Sequence, residues 1–290
     1  MTPGSKEPNA EQSHYWNELA GPNWVDLQES LDEEHAPLGA VAMDRAQVAP
    51  GDRVLDIGCG CGYTSLELAQ RVRPGGLVLG VDISTPMLER AGVRANEAGI
   101  ANVRFENADA QTFAFEPSAS DLLYSRMGVM FFDDPLAAFE NLLRALRPGG
   151  RMAFVCWRKL EENPWMSVPL SAAAKHIADP EQAPGLRGPS AFADSDHVRS
   201  ILEGAGFGDV AFEGLDMTIT IGGTGSLDES VRNMLRFGPV SRAIRQANVQ
   251  ETTEIAASVR DAVAPYATPR GVRMESACWV VTARRPSSLE

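Results

Sequence analysis

The chain has 290 residues, 44% hydrophobic and 22% charged, enough to bury a substantial core as one large domain or as a core with a smaller cap. Its formal net charge of −13, from 26 Lys and Arg against 39 Asp and Glu, argues against nucleic acid or an anionic membrane as a partner and for a small neutral or cationic ligand. No apolar run reaches the roughly 18 residues of a membrane span, and the polar opening MTPGSKEPNAEQ has no apolar signal core, so the expected location is the cytoplasm.

Residues 1–12 read as disordered. From Ser13 to His35 aromatic and polar residues mix in a pattern of helices broken at Gly21–Pro22. Gly39 to Val48 predicts a further helix, stopped before the turn Pro50–Gly51. Val54 to Ile57 is a short apolar strand, and Gly58, Gly60 and Gly62 follow at once as a glycine-rich turn. Thr64 to Gln70 then opens a helix, with Thr64 or Ser65 as its cap. Such a turn permits positive φ and close backbone approach to a ligand, and the helix end offers unpaired N–H groups. The spacing is G-x-G-x-G, whereas a dinucleotide site has G-x-G-x-x-G; Tyr63 stands where its third glycine belongs. Asp56, two positions before the first glycine, opposes a pyrophosphate but suits an ammonium or sulfonium group. Cys59 and Cys61 have no His or Cys partner at ligand spacing, so no metal is expected.

Leu77 to Val81 is an apolar run of the kind found in parallel strands covered on both faces. It ends at Asp82, where doubly wound folds place a carboxylate for ribose hydroxyls. Ser84 or Thr85 with Pro86 starts a helix that stops at Gly99. Val103 to Glu106 is a third strand, followed by the loop Asn107-Ala108-Asp109-Ala110. Asp121 to Ser125 is a fourth strand, Leu136 to Leu146 a helix, and Arg151 to Trp157 a fifth strand after the turn Arg147-Pro148-Gly149-Gly150. Between Arg158 and Phe192 five prolines and one helix, Ser167 to Ile177, suggest an inserted cap. A helix Ser195 to Gly206, an alternating strand Val210 to Ile221, a helical stretch Leu227 to Ala264 and a last strand Ser276 to Arg284 complete the pattern.

Four stretches in this order, D-I-G-C-G-C-G at 56–62, V-D-I-S-T-P-M-L at 81–88, Asp109 in its loop and L-R-P-G-G-R at 146–151, resemble the motifs of class I S-adenosylmethionine-dependent methyltransferases. The resemblance spans Val54 to Trp157 and looks closest to the ubiquinone/menaquinone-biosynthesis-like small-molecule group, methyltransferase type 11/25. Cys61 departs mildly, standing where Thr or Ser is frequent. The fold implied is α/β: a Rossmann-like doubly wound seven-stranded sheet with the last strand antiparallel, N-terminal helices and a helical lid. Its parts would be an N-terminal cover (1–48), a cofactor-binding core (49–158), a cap insertion (159–192), more core (193–224), a lid insertion (225–273) and a final strand (274–286).

The resemblance implies a cofactor, S-adenosylmethionine, held by Asp56, Gly58, Cys59 and Gly60 at the turn. Asp82 would take the ribose, Met87 would pack near the adenine, Asp109 and Ala110 would bind the adenine edge, Ile83 would complete the cofactor-binding set, and Ser125 and Arg126 would border the methionine end. Trp24, Met130 and Trp165 are candidates for the substrate wall, with Trp16 beside Trp24 either lining the site or pinning its helix to the core. The implied reaction is in-line methyl transfer to a small hydrophobic or aromatic molecule, in a monomer or homodimer, the acceptor being O, N or C. Candidates for catalysis are His14, His35, His176 and Arg126; His197 reads as exposed. Arg126 would orient a substrate or pair with Asp56. The alternatives are a nicotinamide-dependent oxidoreductase and a non-catalytic protein that binds S-adenosylmethionine.

Overall fold

The structure is a computed structural model that describes residues 7–177 and 188–287. Three helices come first: α1 (Ala10–His14), which runs on through a wider turn at Tyr15–Leu19, α2 (Gly21–Asp26) and α3 (Gln28–Arg45). Strands and helices then alternate as β1 (Arg53–Ile57), α4 (Tyr63–Arg71), β2 (Leu77–Asp82), α5 (Thr85–Glu97), β3 (Val103–Asn107), β4 (Ser120–Arg126), α6 (Pro135–Ala145) and β5 (Leu146–Trp157). After α7 (Pro164–Ala174) and α8 (Ser195–Gly204) come β6 (Gly208–Ile221), α9 (Leu227–Arg236), α10 (Gly238–Gln246), α11 (Thr253–Val263), β7 (Ala267–Thr268) and β8 (Gly271–Arg284).

The sheet order is β3-β2-β1-β4-β5-β8-β6. β1 pairs in parallel with β2 and β4, β2 with β3, and β4 with β5, while β8 runs antiparallel between β5 and β6. With crossovers of the usual right hand, this strand order puts α4 and α5 on one face, α4 packing on α3, and α6 on the other, packing on α8. Both faces are therefore covered, and the central strand β4 buries Leu122, Leu123 and Tyr124 at 0–2% exposure. Under α6, Phe139 is wholly buried among Phe132, Phe154, Phe192 and Phe207. Helices α10 and α11 each pack on both α7 and α9, and α7 and α9 reach β8. Among the described residues no helix is long and apolar enough to cross a membrane.

The structure corrects several expectations. Of the stretch read as disordered, residues 7–12 are described and enter α1, and Asn9 is only 2% exposed; residues 1–6 lie outside the described part. The helix expected to start at Gly39 starts at Gln28 and runs through Pro37, because Leu31, Leu38, Ala42 and Met43 bury one face and tertiary packing overrides a local breaker. The last strand begins at Gly271, not Ser276: Val272 and Met274 alternate with Arg273 and Glu275 and pair with β6. A two-residue strand, β7, pairs with its start, so the sheet has eight strands where seven were expected. The expected cap helix 167–177 lies at Pro164–Ala174, and residues 178–187 of that insertion fall outside the described residues.

Candidate active site

β1, β2 and β4 end at one edge of the sheet, at Ile57, Asp82 and Arg126, and the strand order reverses between β1 and β4. Ligands of open α/β sheets bind at such a switch point. A cavity of about 580 Å³ opens there, in the size range of small-molecule sites. Gly58 leaves β1 with φ +67°, and a Cβ on it would lie 2.7 Å from the Gly128 Cα; a Cβ on Gly128 would lie 2.6 Å from the Ile57 carbonyl oxygen. Only a glycine at each position lets the turn and the segment after β4 touch backbone to backbone. The N–H groups of Gly58 and Cys59 donate to the Val81 carbonyl at 2.8 and 3.2 Å, which ties the turn to β2. That of Gly60 donates to Asp82 Oδ2 at 2.8 Å, and Ser84 N donates to Oδ1 at 2.9 Å. Burial raises the Asp82 pKa above its ordinary value, opposed by the backbone N–H groups of Ser84, Gly60 and Ile83.

Asp56 plays a different part from the one its position suggested. It is fully buried beneath the turn, off the cavity wall, and its Oδ2 accepts from both Thr64 Oγ1 and Ser65 Oγ at 2.6 Å. Those hydroxyls therefore anchor α4 on the carboxylate and do not cap it; the residue before α4 is Gly62, with φ +82°. Burial pushes the Asp56 carboxyl up to about 6, and its Oδ1 has no hydrogen-bond partner among the described residues. Ser125 is also behind the wall, its Oγ donating to the Ile57 carbonyl at 2.7 Å.

On one side of the cavity lie Ile83, Met87, Asp109 and Ala110, with Asn9 and Gln12 from the N-terminal segment. On the other side aromatic rings adjoin in series. Trp16 meets Phe131 and Trp24 at 5.4 and 5.7 Å between ring centroids, Trp24 meets His35 at 6.1 Å, His35 meets Trp157 at 5.8 Å, and Trp157 meets Trp165 at 4.8 Å. Met130, Met166 and Leu170 fill in between. The substrate-wall candidates Trp24, Met130 and Trp165 line this side, and so do two residues the sequence did not single out, Trp157 at the end of β5 and Phe131 in the segment that leaves β4.

Of the four candidates for catalysis, His35 and Arg126 line the cavity, whereas His14 and His176 are exposed away from it, His176 hydrogen-bonded to Ser258 Oγ at 2.6 Å. The exposure expected of His197 is found. His35 Nδ1 donates to the Leu31 carbonyl at 2.8 Å, which leaves Nε2 unprotonated, 3.8 Å from Glu34 Oε1. Burial, reinforced by the Arg126 charge, pulls the His35 pKa down to about 3, and burial pushes the Glu34 carboxyl up to about 8. The pair is therefore neutral at pH 7: a carboxylic acid beside an uncharged imidazole. Arg126 pairs with Asp32 at 3.6 Å and lies over the Tyr63 ring at 5.2 Å, not against Asp56. Asp32 is shared with Arg94 at 2.8 Å and Gln28 at 2.5 Å. Among the described residues no group of three His, Cys, Asp or Glu side chains is placed to hold a metal.

The donor set fits a cationic, ribose-bearing ligand: acidic groups at Asp82 and Asp109, backbone contact at the turn, and no space for a Cβ at Gly58. Comparisons with known proteins agree. The chain is 36% identical over 122 residues to the aklanonic acid methyltransferase DauC of Streptomyces sp. strain C5, covering 42% of this chain and 56% of that protein. It is 34% identical over 116 residues to the nocamycin O-methyltransferase of Saccharothrix syringae, covering 40% and 41%. The chain thus spans about half the length of the curated relatives it matches. Its fold is similar to that of the YcgJ protein of Bacillus subtilis, with a TM-score of 0.58 at 20% identity, over 88% of this chain and 100% of that one. Residues 49–206, more than half of the chain, match the family described as a methyltransferase domain, and the chain belongs to that family.

Proposed function

We propose that this protein transfers a methyl group from S-adenosylmethionine to a planar aromatic small molecule. The observation that carries the reading is the shared cavity: the glycine turn and the Asp82 carboxylate open on one side, and the series of rings from Trp16 to Trp165 forms the other. The cofactor supplies a methyl group on a sulfonium, already activated for displacement, so the protein's main task is to align the acceptor and exclude water. Gly58, Cys59 and Gly60 present backbone to the methionine end, Asp82 takes the ribose, and Met87, Ile83, Asp109 and Ala110 enclose the adenine. Arg126 and Asp32 set the charge at the methionine end. Trp24, Met130, Trp157 and Trp165 hold the acceptor by its flat faces, since aromatic pairs in offset or edge-to-face contact gain about 0.5–1.5 kcal/mol each beyond burial. His35, neutral and wedged between Trp24 and Trp157, is a wall and not a base. Helices α7 and α9–α11 form the lid. The net charge of −13 and four free cysteines favour a cytoplasmic protein without a nucleic-acid partner.

The test is to incubate the protein with methyl-labelled S-adenosylmethionine and a panel of polycyclic phenols, aromatic acids and aliphatic amines, following the label by mass spectrometry. Labelled aromatic product is expected, with Trp157→Ala raising the acceptor KM and leaving cofactor affinity unchanged. Transfer confined to the aliphatic amines would overturn the reading.

A further inference from the structure

The N-terminal segment meets the cofactor side of the cavity through one residue whose hydrogen bonds are all spoken for. Asn9 is 2% exposed and sits in the left-handed region at φ +55°. Its Nδ2 donates one hydrogen to Gln111 Oε1 at 3.0 Å and shares the other between the two carboxylate oxygens of Asp109, at 3.0 and 2.9 Å. Its Oδ1 accepts from Asp133 N at 2.7 Å, and its own N–H donates to Asp133 Oδ2 at 2.9 Å. The amide orientation is thereby fixed, because only the NH₂ end suits a carboxylate and only the oxygen suits a backbone N–H. Gln111 N also donates to Asp109 Oδ1, at 2.9 Å. A carboxylate oxygen accepts about two hydrogen bonds. Oδ1 therefore takes the Gln111 N–H and part of the Asn9 bond, whereas Oδ2 takes only its part of the Asn9 bond and keeps a position for a further donor, on a residue that lines the cavity.

The same segment is held again further along, at the other flank of Asp82. Asn17 Nδ2 donates to the Ile83 carbonyl at 3.0 Å and its Oδ1 accepts from Thr85 N at 2.9 Å, while Ser84 Oγ donates to the Trp16 carbonyl at 2.8 Å. Residues 9–17 thus span the cavity from the Asp109 loop to the start of α5, with Asn9, Gln12, Tyr15 and Trp16 on the cavity wall.

We propose that Asn9 is a positioning residue for cofactor recognition: it aims the remaining acceptor of Asp109 at the adenine amino group, and it latches residues 9–17 across the bound cofactor, so that release requires the latch to open. The inference rests on the S-adenosylmethionine reading above. It makes selection for the amino group and closure of the site two results of one set of hydrogen bonds. A carboxylate free to rotate would offer the adenine either oxygen in any orientation; one pinned by Asn9 and Gln111 offers a single fixed position. The second hold, at Asn17, closes the segment but does not touch Asp109.

The experiment measures dissociation constants and release rates of S-adenosylhomocysteine and of its deaminated analogue S-inosylhomocysteine, which carries an oxo group where adenine has the amino donor. The full chain is compared with Asn9→Ala and Asn17→Ala. The wild type is expected to prefer the adenosyl compound. Asn9→Ala should weaken that compound about tenfold, the scale of one hydrogen bond to a charged group, weaken the inosyl compound far less, and speed release of both. Asn17→Ala should speed release of both compounds and leave their affinity ratio unchanged. An Asn9→Ala variant with the wild-type ratio and release rates, or one that weakens both compounds equally, overturns the inference. Failure of the wild type to bind either compound overturns the cofactor reading itself, a result distinct from the other two.

Discussion

Substituting Glu34 should change how the protein's stability responds to pH. Glu34 is 1% exposed; its carboxyl accepts from Gly222 N at 3.3 Å, and its other oxygen, Oε1, has no hydrogen bond among the described residues. Its folded pKa of about 8 lies above the ordinary 4.5, so the folded state keeps a proton that the unfolded chain releases. The associated stability is fully present below pH 4.5 and is lost as pH rises to about 8. A gap of roughly 3.5 pH units at about 1.36 kcal/mol per unit amounts to about 5 kcal/mol. His35 acts in the opposite sense: its folded pKa of about 3 lies below 6.5, so its contribution is complete above pH 6.5 and is lost as pH falls to about 3. Between about pH 4.5 and 6.5 the two slopes cancel. The pair by itself gives a plateau there, falling on either side by about 1.36 kcal/mol per pH unit. Urea unfolding of the wild type and Glu34→Gln from pH 4 to 9 is the assay. The glutamine keeps the shape and the acceptor for Gly222 but has no proton to lose. The wild type should lose stability relative to the variant steadily above pH 4.5, the difference levelling off near pH 8. A difference independent of pH would refute the assignment of a neutral carboxylic acid at Glu34.

Three further outcomes follow from the same contacts. Gly58→Ala, whose Cβ would sit 2.7 Å from the Gly128 Cα at φ +67°, should abolish S-adenosylhomocysteine binding measured by calorimetry, and binding at wild-type affinity would show that the turn does not hold the cofactor. Phe139→Ala, emptying a site surrounded by Phe132, Phe154, Phe192 and Phe207, should lower unfolding stability by about 3–5 kcal/mol in urea titration. His35→Phe should keep kcat within about tenfold of wild type; a loss of about a hundredfold or more, the scale of general-base catalysis, would identify His35 as the base.

The Rossmann-like core was legible because its signals are local. Apolar runs followed by turns mark β1, β2 and β4, and glycine spacing with Asp56 and Asp82 marks the ends of the first two. What local reading misjudged was the side of the wall on which a residue falls. Asp56 and Asp82 look alike in sequence, each ending or nearly ending an apolar strand. One is sealed beneath the turn by Thr64 and Ser65, and the other opens on the cavity. Asn9 lay in a polar stretch that gave no sign of order, because the partners of its side chain and of its N–H are about 100 or more residues away in sequence, at Asp109, Gln111 and Asp133. The histidines were equivalent candidates by residue type; only the packing of α3 against Trp24 and Trp157 separates His35 from His14 and His176. The early start of β8 was hidden because Arg273 and Glu275 break its apolar pattern, and only pairing with β6 makes it a strand.

The most direct test of the central claim is calorimetric titration of the full chain with S-adenosylmethionine, S-adenosylhomocysteine and NAD, repeated on Asp82→Ala. Micromolar binding of the first two, none of NAD, and loss of binding in the variant as the ribose loses its carboxylate are expected. Preferential binding of NAD, or cofactor affinity indifferent to Asp82, would contradict the claim.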